Sequence, residues 1–398
     1  MKLGILGGSF NPIHLGHLFL ADKVFTALEL DRIVFIPAFL SPFKPDAAGM
    51  RQGSNIKDRI DMTACAISGD LRYAIDNCEI KREGVSYTIN TIEDIIARYL
   101  PSGKPVLIIG DDLAPEFTKW REYERILELA EIAVVRRVNT AACEYPFPCI
   151  RFENEAMDIS SSKIKQKILE GSDWRSLVPS GVRAIIEDRR LYGCNERHNA
   201  GGECYRDDCI SETIQRVEDA ARHALNTERF LHSRNTALAA VDLCRRFGLD
   251  PKKGYLAGIA HDLAKQLDGD LMLKIVKSRK EDYEISSIEK EKPGLLHGKA
   301  AAVLLREQFC IHNIDVLEAV ACHTFGSDKM GPLAKVIYIA DKTEISRNID
   351  PALRQMCREA DLDTMLFAVL EKTIVKLKAK ELNLSKDTLM LLEKITNR

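Results

Sequence analysis

No run of apolar residues in this chain approaches the ~20 that a membrane-spanning helix needs, and there is almost no net charge. Its 398 residues carry 57 Lys and Arg against 59 Asp and Glu, a formal charge of −2. That excludes nucleic-acid binding driven by bulk basicity. Small phosphorylated ligands need only a pocket and stay open. The opening residues, MKLGILGGSFNP, show no apolar core followed by a small-residue cleavage site, so they do not read as a secretory signal. Nor is there a disulfide framework. Eleven cysteines, an odd number, are scattered from Cys65 to Cys357 through apolar segments, which suits thiols of a reduced, cytoplasmic protein. Internal repeats and low-complexity tracts are missing too. What remains is 45% hydrophobic and 7% aromatic, in a chain long enough for two or three domains of ~100–200 residues. No membrane partner is expected, and a homo-oligomer stays open.

Residues 1–193 alternate short apolar runs with helical patterns. LGILG, RIVFIPA (32–38), VLIIG (106–110) and IAVVRR (132–137) read as buried strands. His17–Leu28, Ile56–Ser68, Ile89–Leu100, Arg121–Ala130 and Ser180–Leu191 read as helices, and the alternation predicts a parallel sheet with right-handed crossovers. Residues 194–210 are polar and contain Gly201-Gly202, which predicts a linker or an inserted loop. From residue 211 to 398 the strand signal vanishes and apolar residues recur at helical spacing, so the second half is expected to be all α.

The segment GGSFNPIHLGH (7–17) follows a predicted strand and opens a predicted helix, at the sheet edge where open α/β folds bind ligands. Gly7 and Gly8 let backbone N–H groups approach phosphate, and His14 and His17 share one face of the first helical turn with Gly16 between them. Placed donors of this kind suit a crowded phosphoryl transition state. The string resembles the signature of the HxGH nucleotidyltransferase superfamily. ISSSKIKQKI (159–168), VSYTINTIEDI (85–95), VLIIGDDLAPEFTKWREYERIL (106–127) and SDWRSLVPSGVRAIIEDRRLYG (172–193) resemble bacterial nicotinate-nucleotide adenylyltransferases over essentially all of 1–193.

The resemblance implies a Rossmann-like doubly wound sheet and transfer of AMP from ATP, with Mg²⁺, to nicotinate mononucleotide, giving deamido-NAD and pyrophosphate. It implies that His14, His17 and Lys44 act on the phosphates. Gly7, Gly8, Ser9, Phe10, Gly16, Asp112, Ser160, Ser161, Ser162 and Lys165 would bind ATP, and Tyr87, Thr88 and Trp120 the nicotinate nucleotide. Lys165 stands where the family usually has Arg, and Asp111-Asp112 where Ala-Asp is common. HxGH does not fix the acceptor, so nicotinamide mononucleotide or phosphopantetheine are alternatives.

Six of the nine histidines follow residue 211. His261-Asp262 lies in YLAGIAHDLAKQL, read as a buried helix, where an unsatisfied Asp is costly and a metal is a common answer. His232, His297, His323 and Asp341 occupy similar settings, whereas His223 and His312 read as ordinary residues. Imidazole with carboxylate favours Fe or another divalent transition metal, and six ligands favour two ions. RFLHS, AGIAHDLAK, LLHG, CHTFG and YIADKTE resemble the HD phosphohydrolase superfamily, its YqeK-type branch in particular. That resemblance implies symmetrical hydrolysis of diadenosine tetraphosphate to two ADP, with Lys265 and Thr324 holding the polyphosphate. A nucleotide-sensing or scaffold module without turnover is the alternative. Cys194, His198, Cys204 and Cys209 lack the tight spacing of a zinc site, so the flexible linker is preferred there.

Overall fold

The computed structural model describes residues 1–42, 55–136, 144–152, 159–194 and 209–396, the side chains of 209–211 excepted. The chain divides into two compact units, Met1–Tyr205 and Arg206–Arg398.

The first unit holds β1 (Leu3–Gly8), α1 (Leu15–Ala27), β2 (Arg32–Pro37), α2 (Ile56–Ala66), β3 (Tyr73–Ile75), α3 (Cys78–Arg82) and α4 (Thr88–Tyr99). Then come β4 (Val106–Gly110), α5 (Tyr123–Leu129), β5 (Glu131–Val135), β6 (Ile150–Phe152), α6 (Ser161–Leu169) and α7 (Ser180–Asp188). All six strands are parallel, in the order β3-β2-β1-β4-β5-β6. Strands β1, β2 and β4 are apolar on both faces because helices cover both, and Ile33, Val34, Phe35 and Ile36 have no solvent exposure. The strand order reverses between β1 and β4, which opens a crevice at their C-terminal ends.

Four of the strands and the main helices fall where periodicity places them. The short β3, β6 and α3 do not register as periodic segments. Helix α7 stops at Asp188 and not at the expected Leu191, because Arg190 takes a left-handed conformation (φ 50°).

The second unit is helical throughout its described residues: α8 (Cys209–Ala224), α9 (Thr227–Arg246), α10 (Pro251–Ala260), α11 (Gly269–Lys277), α12 (Ser287–Glu291) and α13 (His297–Phe309), then α14 (Ile314–Cys322), α15 (Pro332–Thr343), α16 (Pro351–Glu359), α17 (Leu362–Ala379) and α18 (Lys386–Thr396). Helices α9 and α10 pack so closely at Gly258 that a Cβ there would lie 2.4 Å from Ala237 Cα. A buried network joins them to α8: Arg234 Nε donates to Glu218 Oε1 at 2.9 Å, and Tyr255 Oη donates to Glu218 Oε2 at 2.9 Å. Among the described residues, no helix is long and apolar enough to cross a membrane.

Candidate functional sites

In the first unit a cavity of about 340 Å³ lies in the β1–β4 crevice. Its β1 side is the loop Gly7, Gly8, Ser9 and Phe10, with His17 from α1. Ser160, Ser161 and Ser162 close it at the N-terminus of α6, whose N-cap Ser160 accepts from Lys163 N at 3.2 Å. Thr88, Asp112 and Trp120 line it as well.

The loop between β1 and α1 is held from several sides. Arg59, 1% exposed, donates Nη1 to the carbonyls of Ser9 at 2.8 Å and Ala38 at 2.7 Å. Tyr192 Oη donates to Asn11 Oδ1 at 2.6 Å, and Ser161 Oγ to the Pro12 carbonyl at 2.9 Å. Phe10 sits at φ 46°, a strained value for a side-chain-bearing residue that this surrounding scaffold maintains.

His14 has no solvent exposure and does not line the cavity; its ring lies 3.8 Å from that of His17. His14 N donates to His17 Nδ1 at 3.3 Å, so a neutral His17 carries its proton on Nε2. Gly16 makes room for His14: a Cβ there would stand 3.0 Å from His14 Nδ1. Tyr87 caps α4 and stacks under Arg121 at 4.8 Å; it and Lys165 do not line the cavity. Lys44 lies outside the described residues.

Periodicity and motif reading did not single out Glu79, Ser86 and Thr91, which also line the cavity. Thr91 Oγ1 donates to Glu79 Oε1 at 2.6 Å. Burial pushes the Glu79 carboxyl above its ordinary range despite the hydrogen bonds from Thr91 and Ser86. No local pattern announces a charge there, because α3 is too short to show one.

In the second unit the six expected side chains converge. His232 comes from α9 and Asp341 from α15, whereas His261 and His323 stand at the ends of α10 and α14 and His297 at the start of α13. This differs from the expectation that His261-Asp262 sits within a helix. Helix α10 ends at Ala260, and the chain continues in turns. The three histidines at helix ends use one device. Each Nδ1 meets the carbonyl three residues earlier: His261 with Gly258 at 2.7 Å, His297 with Gly294 at 2.9 Å, His323 with Val320 at 2.7 Å. A carbonyl can only accept, so Nδ1 holds the proton and Nε2 presents its lone pair.

His232 differs. Its Nδ1 meets the carboxylate of buried Glu344 at 3.1 Å.

The four Nε2 atoms face two carboxylates. His232 Nε2 is 3.0 Å from Asp341 Oδ1, His261 Nε2 3.5 Å from Asp262 Oδ2, and His297 Nε2 3.3 Å from Asp262 Oδ1. His323 Nε2 is 3.8 Å from Asp262 Oδ1 and 3.1 Å from His297 Nε2. Two groups, His232–His261–Asp341 and His261–Asp262–His323, bring their ligand atoms within 4.8 Å of one another. His261 Nε2 is buried with no hydrogen-bond partner among the described residues. Such an atom is costly unless something binds it, so the donor set fits divalent metal.

Burial lowers His297 to about 4 and holds His323 well below its ordinary value, leaving both as neutral imidazoles. Lys265 Nζ is 3.0 Å from His297 Nε2, and Thr324 Oγ1 3.3 Å from the same atom. Glu344, Arg229, Lys342 and Arg347 complete the surroundings and are not part of the sequence-derived set. Of the linker cluster, Cys194 is buried, while His198, Cys204 and the Cys209 side chain lie outside the described residues.

A cytidylyltransferase-like family model matches residues 5–167, and an HD-domain model matches residues 229–346. A "probable nicotinate-nucleotide adenylyltransferase" of Borreliella afzelii is 35% identical over 192 residues, covering 48% of this chain and 97% of that protein. Its namesake from Geobacillus kaustophilus is 38% identical, covering 48% and 86%. Among solved structures, a "predicted HD superfamily hydrolase involved in NAD metabolism" from Clostridium acetobutylicum is 31% identical, covering 46% of this chain and 96% of that one, with a TM-score of 0.43. With its N-terminal unit matched along nearly the whole length of such relatives, the chain belongs to the nicotinate-nucleotide adenylyltransferase family and carries an HD domain in its C-terminal unit.

Proposed function

We propose that the chain is a bifunctional enzyme. In this reading residues 1–193 transfer the adenylyl group of ATP to nicotinate mononucleotide, 194–210 are a linker, and 211–398 hydrolyse diadenosine tetraphosphate to two ADP. The observation that carries the first half is a cavity lined by two chemically distinct sets of residues, in a unit of this family. The β1 loop, His17 and the serine N-terminus of α6 form a set rich in donors that suits phosphates. Thr88 and Trp120 would offer a hydroxyl and an aromatic plane to the nicotinate ring, with Tyr87 supporting that segment.

His17 would donate from Nε2 to phosphate oxygens as charge develops, and His14 would act by fixing that ring. Gly7, Gly8, Ser9, Phe10 and Gly16 would hold the approach open, with Lys44 and Lys165 adding positive charge and Asp112 facing the nucleotide. The acceptor's phosphate attacks the α-phosphorus and pyrophosphate departs. No covalent enzyme intermediate is needed.

For the second half the convergence of four Nε2 atoms on Asp262 and Asp341 carries the reading. His232, His261, Asp262, His297, His323 and Asp341 would hold a pair of divalent ions, Fe among the candidates. Such ions supply Lewis acidity and ease deprotonation of water. Lys265 and Thr324, which lie beside His297, would steady a phosphate oxygen.

One preparation tests both halves. ATP is offered with nicotinate mononucleotide, nicotinamide mononucleotide or phosphopantetheine, and diadenosine tetraphosphate is offered with Fe²⁺, Mn²⁺ or Mg²⁺. Preference for another acceptor defeats the first assignment, and absence of ADP under every metal defeats the second.

A further inference from the structure

Of the aspartates of the C-terminal centre, Asp262 is buried, at 3% side-chain exposure, and Asp341 is largely enclosed, at 13%. Two arginines at its mouth are far more open, Arg229 at 37% and Arg347 at 39%. Arg229, in the first turn of α9, donates Nη1 to Asp262 Oδ2 at 2.9 Å. Arg347, beyond the end of α15, donates Nη2 to Asp341 Oδ1 at 2.9 Å and Nε to the Asp341 carbonyl at 2.9 Å. Each aspartate thus has its own arginine. Lys265 and Lys342 add two more cations, 3.9 Å from Asp262 Oδ1 and 3.2 Å from Asp341 Oδ2.

Three carboxylates, counting Glu344, therefore face four cations, and the centre is near neutral before any divalent ion arrives. Two divalent ions on the two aspartates leave an excess of roughly five positive charges across the centre. A phosphomonoester brings only about two negative charges, whereas a longer polyphosphate brings one or more per phosphate. Guanidinium forks match phosphate oxygens bidentately, and these two arginines have the exposure to reach a ligand at the mouth.

We propose that Arg229 and Arg347 are polyphosphate-gripping residues. They exchange their aspartates for the outer phosphates of a bound chain when divalent ions occupy the carboxylates, so the site selects polyphosphates longer than a diphosphate over monoesters. This rests on the hydrolytic reading of the HD centre given above and adds residues and a selection rule to it.

The test uses the full-length chain with Arg229→Gln and Arg347→Gln. Removing a cation that competes for an aspartate should tighten Mn²⁺ binding by about 3- to 10-fold. The same change should weaken binding of inorganic tripolyphosphate to the Mn²⁺-loaded protein by about 10-fold or more, and of inorganic phosphate by no more than about 2-fold. Opposite signs for metal and polyphosphate are the signature. Structural damage would weaken both, and that result, or unchanged tripolyphosphate affinity, overturns the proposal. Arg347 also holds a backbone carbonyl, so Arg229→Gln serves alone if Arg347→Gln does not fold. Wild-type protein that binds tripolyphosphate through these arginines yet releases no ADP from diadenosine tetraphosphate would refute the hydrolytic reading and leave the arginine assignment standing.

Discussion

Replacing Glu344 by Gln tests how the C-terminal centre is tuned. Glu344 is buried, and its Oε1 lies 3.1 Å from His232 Nδ1 while its Oε2 accepts from Ser346 N at 2.6 Å. Burial acts upward on this carboxyl, but the hydrogen bonds from His232 and Ser346 outweigh it and keep Glu344 below its ordinary range, hence ionised at neutral pH. The charge makes His232 a more basic donor through Nε2. It also raises His232 above its own ordinary value against the effect of burial, together with Asp341.

Glutamine preserves the volume and can still accept from Nδ1–H, but it carries no charge. Its NH₂ would then confront either Ser346 N–H or the imidazole N–H, setting donor against donor. Losing an outer partner of this kind weakens metal binding by about 10- to 100-fold, or about 1.4–2.7 kcal/mol. The assay is Mn²⁺ titration against a competing chelator at pH 7.5, with thermal unfolding to confirm that the variant is folded. Ser346→Ala, which leaves the His232–Glu344 contact in place, should shift the affinity by less than about 3-fold. A folded Glu344→Gln protein that binds Mn²⁺ as tightly as wild type would refute the argument.

The two sites should separate cleanly by mutation. His17→Ala should reduce adenylyl transfer by about 10²-fold or more while leaving hydrolysis intact, and Asp262→Ala should do the reverse. A folded variant that loses both activities contradicts two independent sites. Gly258→Ala puts a Cβ 2.4 Å from Ala237 Cα and 2.8 Å from its N. Helices α9 and α10 must move apart, at a cost of about 1–3 kcal/mol, visible as a lower melting temperature of the HD unit. Acidification should destabilise the metal-free HD unit. His297 is depressed from near 6.5 to about 4 and His323 is depressed as well, so their contribution is present above pH 6.5 and lost as the pH falls toward 4. For His297 that loss is on the order of 3 kcal/mol. His232, raised, acts in the opposite sense, but two depressed groups outweigh it. Urea midpoints that stay level or rise between pH 7 and pH 5 would contradict this.

Much of this organisation is legible in the sequence because it is local. Strands such as RIVFIP are apolar on both faces, and GGSFNPIHLGH binds loop, cap and first helical turn into one continuous string. Elements of three residues, Tyr73–Ile75 and Ile150–Phe152, are too short to show a period and take their strand geometry from neighbours in the sheet. The end of α7 is set by distant groups. Arg189 pairs with Asp58 and Asp61 at 2.7 and 2.8 Å, and Arg190 turns the chain out of the helix. Glu344 escapes notice because its partner His232 is 112 residues away. In the sequence it is one more acidic residue near a helix end. Arg229 and Arg347 look like solvated charges until the fold sets each against an aspartate.

The centre's sensitivity to substitution follows from the same division between local and distant partners. At His261, His297 and His323 the group that fixes the ring is a backbone carbonyl, which no side-chain replacement can remove. Only loss of the histidine or distortion of its helix end can alter those tautomers. At His232 that role falls to Glu344, a side chain, and it is a charged one. If these residues hold metal as proposed, its affinity would be adjustable without touching a ligand at one place among the four histidines, the His232–Glu344 pair. The arginines at the mouth change the balance from the opposite side, by competing for Asp262 and Asp341. On the proposed function, a chain with a net charge of −2 would in this way hold multiply charged phosphates in both units. In each, the deciding charges and dipoles lie within a few ångströms of the site, on helix ends and loop backbone in the first and on paired side chains in the second.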